Sequence, residues 1–456
     1  MGKTYVVTSA QAFAKPHKNF INGLEKYSEI NGAEILILPM IGKSAREDWH
    51  NGGLDKLFYK KFRVVEENYK LNNNIEIEQF EVRPYQIDPL TGLQRFAQRS
   101  VTKIFASPKQ RLKAISHSNY KIPKFLATTG ACTYPNYATG EDVSAERRRL
   151  GNISKKDHVY GALIVEVEDK ERYYLRNIRA NKKGEFIDFG IRYNGKEIKK
   201  SKLEALVLGD IHCGYTDKKV REANYKMIKA FKPKRLILHD LFDGHSVCHW
   251  RDKHLITQMI IEGADKGFLS LEDELKEVNK ELKKFSKAMK GGKIYVVSSN
   301  HLEFLDRYLD EGKFVKDALN AKISFDLARE LAKGKNPVEV GVRMMGPLPK
   351  NIFFLKRDED LKVRGYQLGS HGDKGPSGGR GSIRSRENDF GKSITGHSHS
   401  SQVLRETYIV GTSTPLTMFY TKGHPTSWTN SNAFLWDNGT VQMVHIIKGK
   451  WRLKNK

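Results

Sequence analysis

Cysteine is scarce: Cys132, Cys213 and Cys248 are the only three in 456 residues, and none stands in a CxxC pair. That excludes a disulfide framework and a thiolate zinc site. It leads us to expect a reducing, cytoplasmic setting. Long apolar runs are missing as well. The most apolar stretches, 34–41 and 205–208, are strand-sized. They fall well short of the ~18 residues of a membrane span, so no span is expected. The N-terminal MGKTYVVTSAQ lacks the basic, apolar and small-residue sections of a signal peptide. No internal repeat or low-complexity linker interrupts the chain.

Acidic residues are the remaining shortage. Asp and Glu number 53 against 79 Lys and Arg, for a formal net charge of +26. Residues 1–200 hold 35 basic and 23 acidic residues, and residues 201–456 hold 44 and 30, so the excess is not confined to a tail. A field of this kind attracts polyanions, and nucleic acid, DNA above all, is the expected partner. A homo-oligomer or a protein partner is equally compatible with these residues.

The composition that is present, 39% hydrophobic and 10% aromatic, is that of a folded chain. The length suggests two or three domains. Residues 4–10 and 33–40 read as strands, 17–31 and 54–70 as helices, and 74–85 and 122–133 as further strands. Residues 158–198 read as an antiparallel meander. Asn194-Gly195 predicts a type I′ hairpin turn, which needs positive φ at both central residues. We place a boundary near 200, with a basic mixed α/β domain over 1–200 and a second domain over 201–456. The second alternates strands at 203–212, 234–243 and 293–301 with helices at 217–231 and 271–290. That alternation means a layered α/β sheet, and ligand sites in such sheets sit at strand carboxyl ends.

Five short motifs occupy those ends in order. They are Gly209-Asp210-Ile211-His212, Asp240-Leu241-Phe242-Asp243, Asn300-His301, His371 within GSHGD, and Gly396-His397-Ser398-His399. A carboxylate can bridge two cations, while neutral imidazoles and an amide oxygen complete their shells. Mixed N/O ligands suit Mn, Fe, Zn or Ni more than Ca, and Mn2+ is the expected ion, with Mg2+, Fe or Zn as alternatives. Two cations about 3.5–4 Å apart can act together on one phosphoryl group. Each motif alone is weak evidence, because a capped turn, a loop Asn or a surface GHSH has ordinary structural explanations. Their order and placement together carry the expectation of a phosphoesterase.

This order resembles the calcineurin-like metallophosphoesterases over roughly 203–411. The resemblance implies a β-sandwich flanked by helices. It implies that Asp210, His212, Asp240 and His399 bind one metal, and that Asp240, Asn300, His371 and His397 bind the other. It further implies that His301 is the general acid. Three departures stand out: His239 replaces the glycine before the shared Asp, Ser299 replaces the glycine opening the third motif, and Leu302 replaces the acidic residue that often follows its His. The last leaves open what orients His301, since Glu303 is one place on. His239 has both a substrate-touching and a structural reading.

Between the last two motifs lies a Gly-rich loop carrying Arg380, Arg384 and Arg386, suited to phosphate oxygens. Arg147–Arg149 form a second cluster, read equally well as a solvated face. Of the late aromatics Phe419, Tyr420, Trp428, Phe434 and Trp436, most read as core and some as base-stacking groups. Together with the charge, these features point to the DNA nuclease branch, which includes bacterial repair nucleases of the SbcD type. The long N-terminal region is more similar to phage-encoded members such as the DNA-transfer nucleases of T5-like phages, which would work in host cytoplasm. The expected function is metal-dependent hydrolysis of DNA phosphodiesters. The alternatives are a phosphatase or phosphodiesterase acting on phosphoproteins or nucleotides, and a DNA-binding scaffold with a structural or partner-regulated metal site.

Overall fold

The computed structural model describes residues 2–43, 52–98, 101–118, 122–248, 270–418 and 421–453. Phe419 and Tyr420 lie outside these. The chain opens with β1 (Lys3–Gln11), α1 (Lys18–Asn31), β2 (Ala33–Met40), α2 (Lys56–Lys61) and β3 (Arg63–Val64). It continues through β4 (Tyr69–Asn72), β5 (Ile75–Ile77), α3 (Gln94–Gln98), β6 (Thr102–Phe105), β7 (Arg111–Ile115), β8 (Lys124–Thr128) and α4 (Ala145–Lys156). The meander follows as β9 (Gly161–Val167), β10 (Tyr173–Arg179), β11 (Phe186–Asp188), β12 (Ile191–Tyr193) and β13 (Ile198–Lys200).

Beyond residue 200 come β14 (Leu203–Val207), α5 (Lys218–Phe231), β15 (Arg235–Leu238), α6 (Leu271–Met289) and β16 (Lys293–Val296). Three helices follow, α7 (Leu302–Asp310), α8 (Ala321–Leu331) and α9 (Pro337–Met344), and then β17 (Ile352–Phe354), β18 (Lys362–Val363) and β19 (Tyr366–Gln367). The last elements are α10 (Ile383–Phe390), β20 (Ser393–Thr395), β21 (Gln402–Leu404), β22 (Thr407–Ile409), β23 (Ser431–Trp436) and β24 (Val441–His445).

Among the described residues these strands form two large sheets and a small one. The first runs β17-β16-β15-β14-β23-β24-β10-β9-β1-β2-β3, and the second runs β18-β19-β20-β22-β21-β7-β8-β6-β5-β4. The third is β11-β12-β13. Strands from both sides of residue 200 share both large sheets: β10 pairs with β24, and β7 with β21.

One face of each large sheet is apolar, and the two faces meet. Val7, Leu36, Val165 and Val207 of the first pack with Ile104, Leu112, Ile394 and Tyr408 of the second in one buried cluster. Each such side chain contributes about 1.5–3 kcal/mol when removed from water. The outer face of the first sheet is covered at one end by α5 to α9, through Leu206, Leu236, Met227 and Leu275. At the other end α1 and the small sheet cover it, through Phe20, Tyr27, Phe186 and Tyr193. The architecture is therefore the expected mixed α/β one, two sheets face to face with helices outside.

Three local expectations fail in part. The strand expected over 74–85 is confined to Ile75–Ile77. The helix expected over 54–70 ends at Lys61, where Phe62 turns extended. Arg63 and Val64 instead pair with Leu36 and Ile37 of β2, because β-branched residues beside an open strand gain more from the ladder than from a helix. The Asn194-Gly195 hairpin is present between β12 and β13, but only Gly195 has positive φ, at 80°. The Asn194 side chain accepts from the Lys196 and Glu197 amides at 3.0 and 2.5 Å, which closes the turn without a type I′ backbone.

A candidate metal centre at the strand ends

β14, β15 and β16 are parallel, as are β19, β20 and β22. A parallel bridge from Asp210 to Thr412 ties the end of β14 to the residue run following β22. The carboxyl ends of both sets therefore meet, and all five motifs converge there. Backbone bonds stitch the loops together: His212 N to Asp240 O at 2.7 Å, Gly396 N to His371 O at 2.9 Å, and Thr429 N to His399 O at 2.9 Å.

Four of the residues in question hold a left-handed backbone: His212, Asp240, His397 and His399, with φ of 49°, 43°, 76° and 56°. Non-glycine residues rarely adopt it, and clusters of such residues mark functional sites. Gly396 is required for a different reason. A Cβ there would stand 2.1 Å from Asp210 Oδ1, so only glycine lets the β20 loop approach this carboxylate.

Ligand atoms of Asp210, His212, Asp240 and His399 all lie within 4.8 Å of one another, and all four residues are buried. The Nε2 atoms of His212 and His399 face each other at 3.1 Å. Asp210 Oδ2 accepts from the His397 amide at 2.8 Å and stands 3.2 Å from His399 Nε2. Asp240 Oδ2 stands 3.1 Å from His371 Nε2 and 3.6 Å from His212 Nε2. The His371 and His397 rings are 5.3 Å apart, edge to face. Asp210 Oδ1, Asp240 Oδ1 and Asn300 Oδ1 are buried with no hydrogen-bond partner.

Burial works against charge at every one of these groups, yet the carboxylates stay ionised. For Asp210 and Asp240 burial is the largest influence and raises the pKa. The hydrogen bond from His399 at Asp210, and the His371 charge at Asp240, reverse it, so both end below the usual carboxylate range. His212 is lowered by burial but raised further by its bond to Asp243 and by the nearby carboxylates, ending at about 9. Burial lowers His397 to about 4 and also lowers His399. The cluster sets ionised carboxylates among imidazoles, a donor set that can hold a cation.

His301 begins α7 and is part-exposed. Its Nδ1 donates to the Asp243 carbonyl oxygen at 2.5 Å, which leaves Nε2 uncommitted, and its ring packs edge-on to His212 with centroids 4.7 Å apart. Asp243, rather than Glu303, orients it. Glu303 instead binds Arg357 and Lys374, each at 2.9 Å, and Arg357 clamps Asp373 with two bonds of 2.9 and 2.6 Å. His239 is fully buried, with its Nδ1 3.4 Å from His371 Nδ1. That fits the structural reading, behind His371.

The three loop arginines separate. Arg380 is exposed, and Arg384 is exposed and 3.6 Å from Asp88. Arg386 is buried and donates to the Gly372 carbonyl oxygen, pressed so closely on Gly372 that a Cβ there would fall 2.6 Å from its Cζ. Burial lowers its guanidinium to about 10. Arg147 and Arg149 are exposed on α4. Phe434 and Trp436 are core, and Trp428 packs edge-on to His399 at 4.4 Å.

Sequence reasoning gave no role to a second layer. Asp243 Oδ1 accepts from His212 Nδ1 at 2.7 Å, which fixes that ring with Nε2 turned to the cluster. Asp243 Oδ2 lies 3.3 Å from His245 Nδ1, and the same nitrogen is 3.3 Å from Glu274 Oε1. Asp243 had a signal, its place three residues after Asp240. Glu274, on α6, had none.

Two sheets bringing Asp and His side chains to one buried point define a mixed α/β protein with a site able to hold a metal ion. No protein-family model matches the chain, and no solved structure matches it. The chain is similar to Protein A1 of Escherichia phage T5, with 27% identity over 479 residues, spanning 99% of this chain and 83% of that protein. No helix among the described residues is long and apolar enough to cross a membrane.

Proposed function

We propose that the protein is a metal-dependent nuclease that hydrolyses DNA phosphodiester bonds with two divalent cations, Mn2+ first among them. The observation that carries this reading is the set of three buried oxygens without partners, Asp210 Oδ1, Asp240 Oδ1 and Asn300 Oδ1, beside the imidazoles of the cluster. A buried acceptor left unsatisfied costs about 1–3 kcal/mol, and a cation offsets that cost. Asp210, His212, Asp240 and His399 would hold one ion. Asp240, Asn300, His371 and His397 would hold the other, with Asp240 shared. Ions held there would supply positive charge to polarise a phosphoryl oxygen and acidify water.

The chain's own residues do the rest. His301, held through Nδ1, carries a proton on Nε2 to the leaving oxygen. Arg380, on the exposed loop, and Arg384, in the first turn of α10, lie between two ligand motifs, where they can pair with strand phosphates. Arg386 braces the His371 loop from within. In this reading 201–456 is the catalytic unit, and 1–200 is a basic unit completing both sheets. The net charge of +26 favours nucleic acid over a neutral substrate. Likeness to a phage protein supports a phage-encoded chain working in host cytoplasm.

The test is a matrix of Mn2+, Mg2+, Zn2+ and Fe2+ against single- and double-stranded DNA, for wild type and Asp240→Ala. Cleavage by wild type and its loss in the variant are expected. DNA left intact by wild type under every metal sinks the reading. Rapid turnover of p-nitrophenyl phosphate without DNA cleavage would replace it with a phosphatase.

A further inference from the structure

We propose that a basic cleft at the opposite end of the sandwich is a second nucleic-acid site, holding a single strand by its phosphates without cutting it. Strand directions locate it. β14 and β24 run the same way, because each is antiparallel to β23. β10 is antiparallel to β24, so Arg179 at its carboxyl end faces away from Asp210. Lys392 and Glu406 precede β20 and β22, whose far ends feed the metal cluster, and the Asn438–Thr440 turn enters β24. At about 3.3 Å per residue, the strands put some 17 Å or more between the two ends.

The cleft has a volume of ≈ 1310 Å³. Pockets for one small ligand run about 300–1,000 Å³, so its size suits a segment of polymer. Seven cationic side chains line it against two carboxylates. Those carboxylates are already used, Asp157 near Arg405 at 3.5 Å and Glu406 by Lys392 at 2.8 Å. Arg364 is matched by Glu204 at 3.1 Å, and Arg405 also by Glu387.

What is left over is entirely donor. Lys155 and Lys156, at the end of α4, and Lys182, on the turn after β10, have no ion-pair partner among the described residues. Arg179 Nε and Asn438 Nδ2 are buried in the lining without an acceptor, although Arg179 Nη1 reaches Tyr408 Oη at 3.0 Å. Two lysines at a helix end can serve that helix alone. Lys182 lies on another element, and the three lysines together describe a surface short of acceptor oxygens. Phosphates supply these at regular spacing. Half-buried Tyr160 in the wall is packed edge to face with His17 and His158 at 4.5 and 5.2 Å, so the cleft holds a strand by its phosphates, not by its bases.

The test is fluorescence anisotropy of a labelled single-stranded oligonucleotide with the full chain, chelator present so that nothing is cut. The triple variant Lys155→Gln/Lys156→Gln/Lys182→Gln is expected to bind about tenfold more weakly. Its slope of log K against log salt should fall by about 2, at ~0.7 per lost phosphate contact. The matching Lys→Arg triple should restore both, and an unchanged melting midpoint confirms folding. Affinity and slope equal to wild type overturn the proposal. Hydrolysis of bis-p-nitrophenyl phosphate should be the same in the triple variant as in wild type, and a parallel fall overturns a separate site. If wild type cleaves nothing but the triple variant still loses DNA, the nuclease reading fails and the cleft stands.

Discussion

A carboxylate that holds two imidazoles by different oxygens sets the proton positions of both. Asp243 does this for His212 and His245, and its carbonyl does it for His301. Removing such a partner costs about 10–100-fold in metal affinity. Asp243→Ala should show that loss in a calorimetric Mn2+ titration, and unchanged affinity would refute its role. Gly396→Ala should cost at least about tenfold, because its methyl group displaces the Asp210 oxygen; wild-type affinity would mean the loop moves freely. Both variants should fold. Away from the site, His445 sits between the sheets. It donates from Nδ1 to the Leu175 carbonyl oxygen at 3.0 Å, and its Nε2 accepts from Ser401 Oγ at 3.1 Å. Burial lowers it to about 4 from an ordinary 6.5, so the folded state binds fewer protons than the unfolded one. Stability from this group is complete above pH 6.5 and declines as pH falls towards 4, by about 3 kcal/mol in all. Urea midpoints measured across that range should slope less in His445→Gln than in wild type.

Helices and loops depend on each other through a few polar anchors. Glu274, buried on α6, accepts from the amides of Gly244 and Ser246 at 2.6 and 3.2 Å, and from Ser246 Oγ at 2.6 Å. Glu274→Ala leaves those donors buried, and should cost at least about 2 kcal/mol by denaturant unfolding. A cost below 0.5 kcal/mol would mean that the loop rearranges. Elements of this kind were unevenly legible. The strands from 203 to 301 could be read directly, since each is a strand-sized apolar run followed by polar residues, and α5 and α6 could be read from apolar residues at helical spacing. So could β1, α1 and β2. The second sheet could be read only in part: β5 and β8 fall within the strands expected at 74–85 and 122–133, but β6, β20 and β22 are three or four residues long, and β7 finds β21 nearly three hundred positions away. No local period encodes such a partner, and α4 was missed because its apolar face is thin. The candidate ligands were legible because side-chain type and strand-end position coincide. Their support by Asp243 and Glu274 was not, since contact across loops leaves no spacing to count.

The molecule as a whole is bound by strands that cross residue 200. One cooperative unfolding transition is therefore expected by calorimetry, and two well-separated transitions would show that the halves are independent. Mn2+ should raise that transition in wild type and leave Asp240→Ala unmoved, because ligation favours only the folded state. The shared sheets also impose an order on synthesis. β10 emerges with one side matched to β9, but its other partner, β24, is 262 residues further along the chain from Arg179 to Val441. At about 5–20 residues per second, that edge waits roughly 10–50 s on the ribosome. An unfinished strand edge is a template for the wrong neighbour. The nascent chain therefore calls for a chaperone, or for slow expression at low temperature, more than the finished protein does.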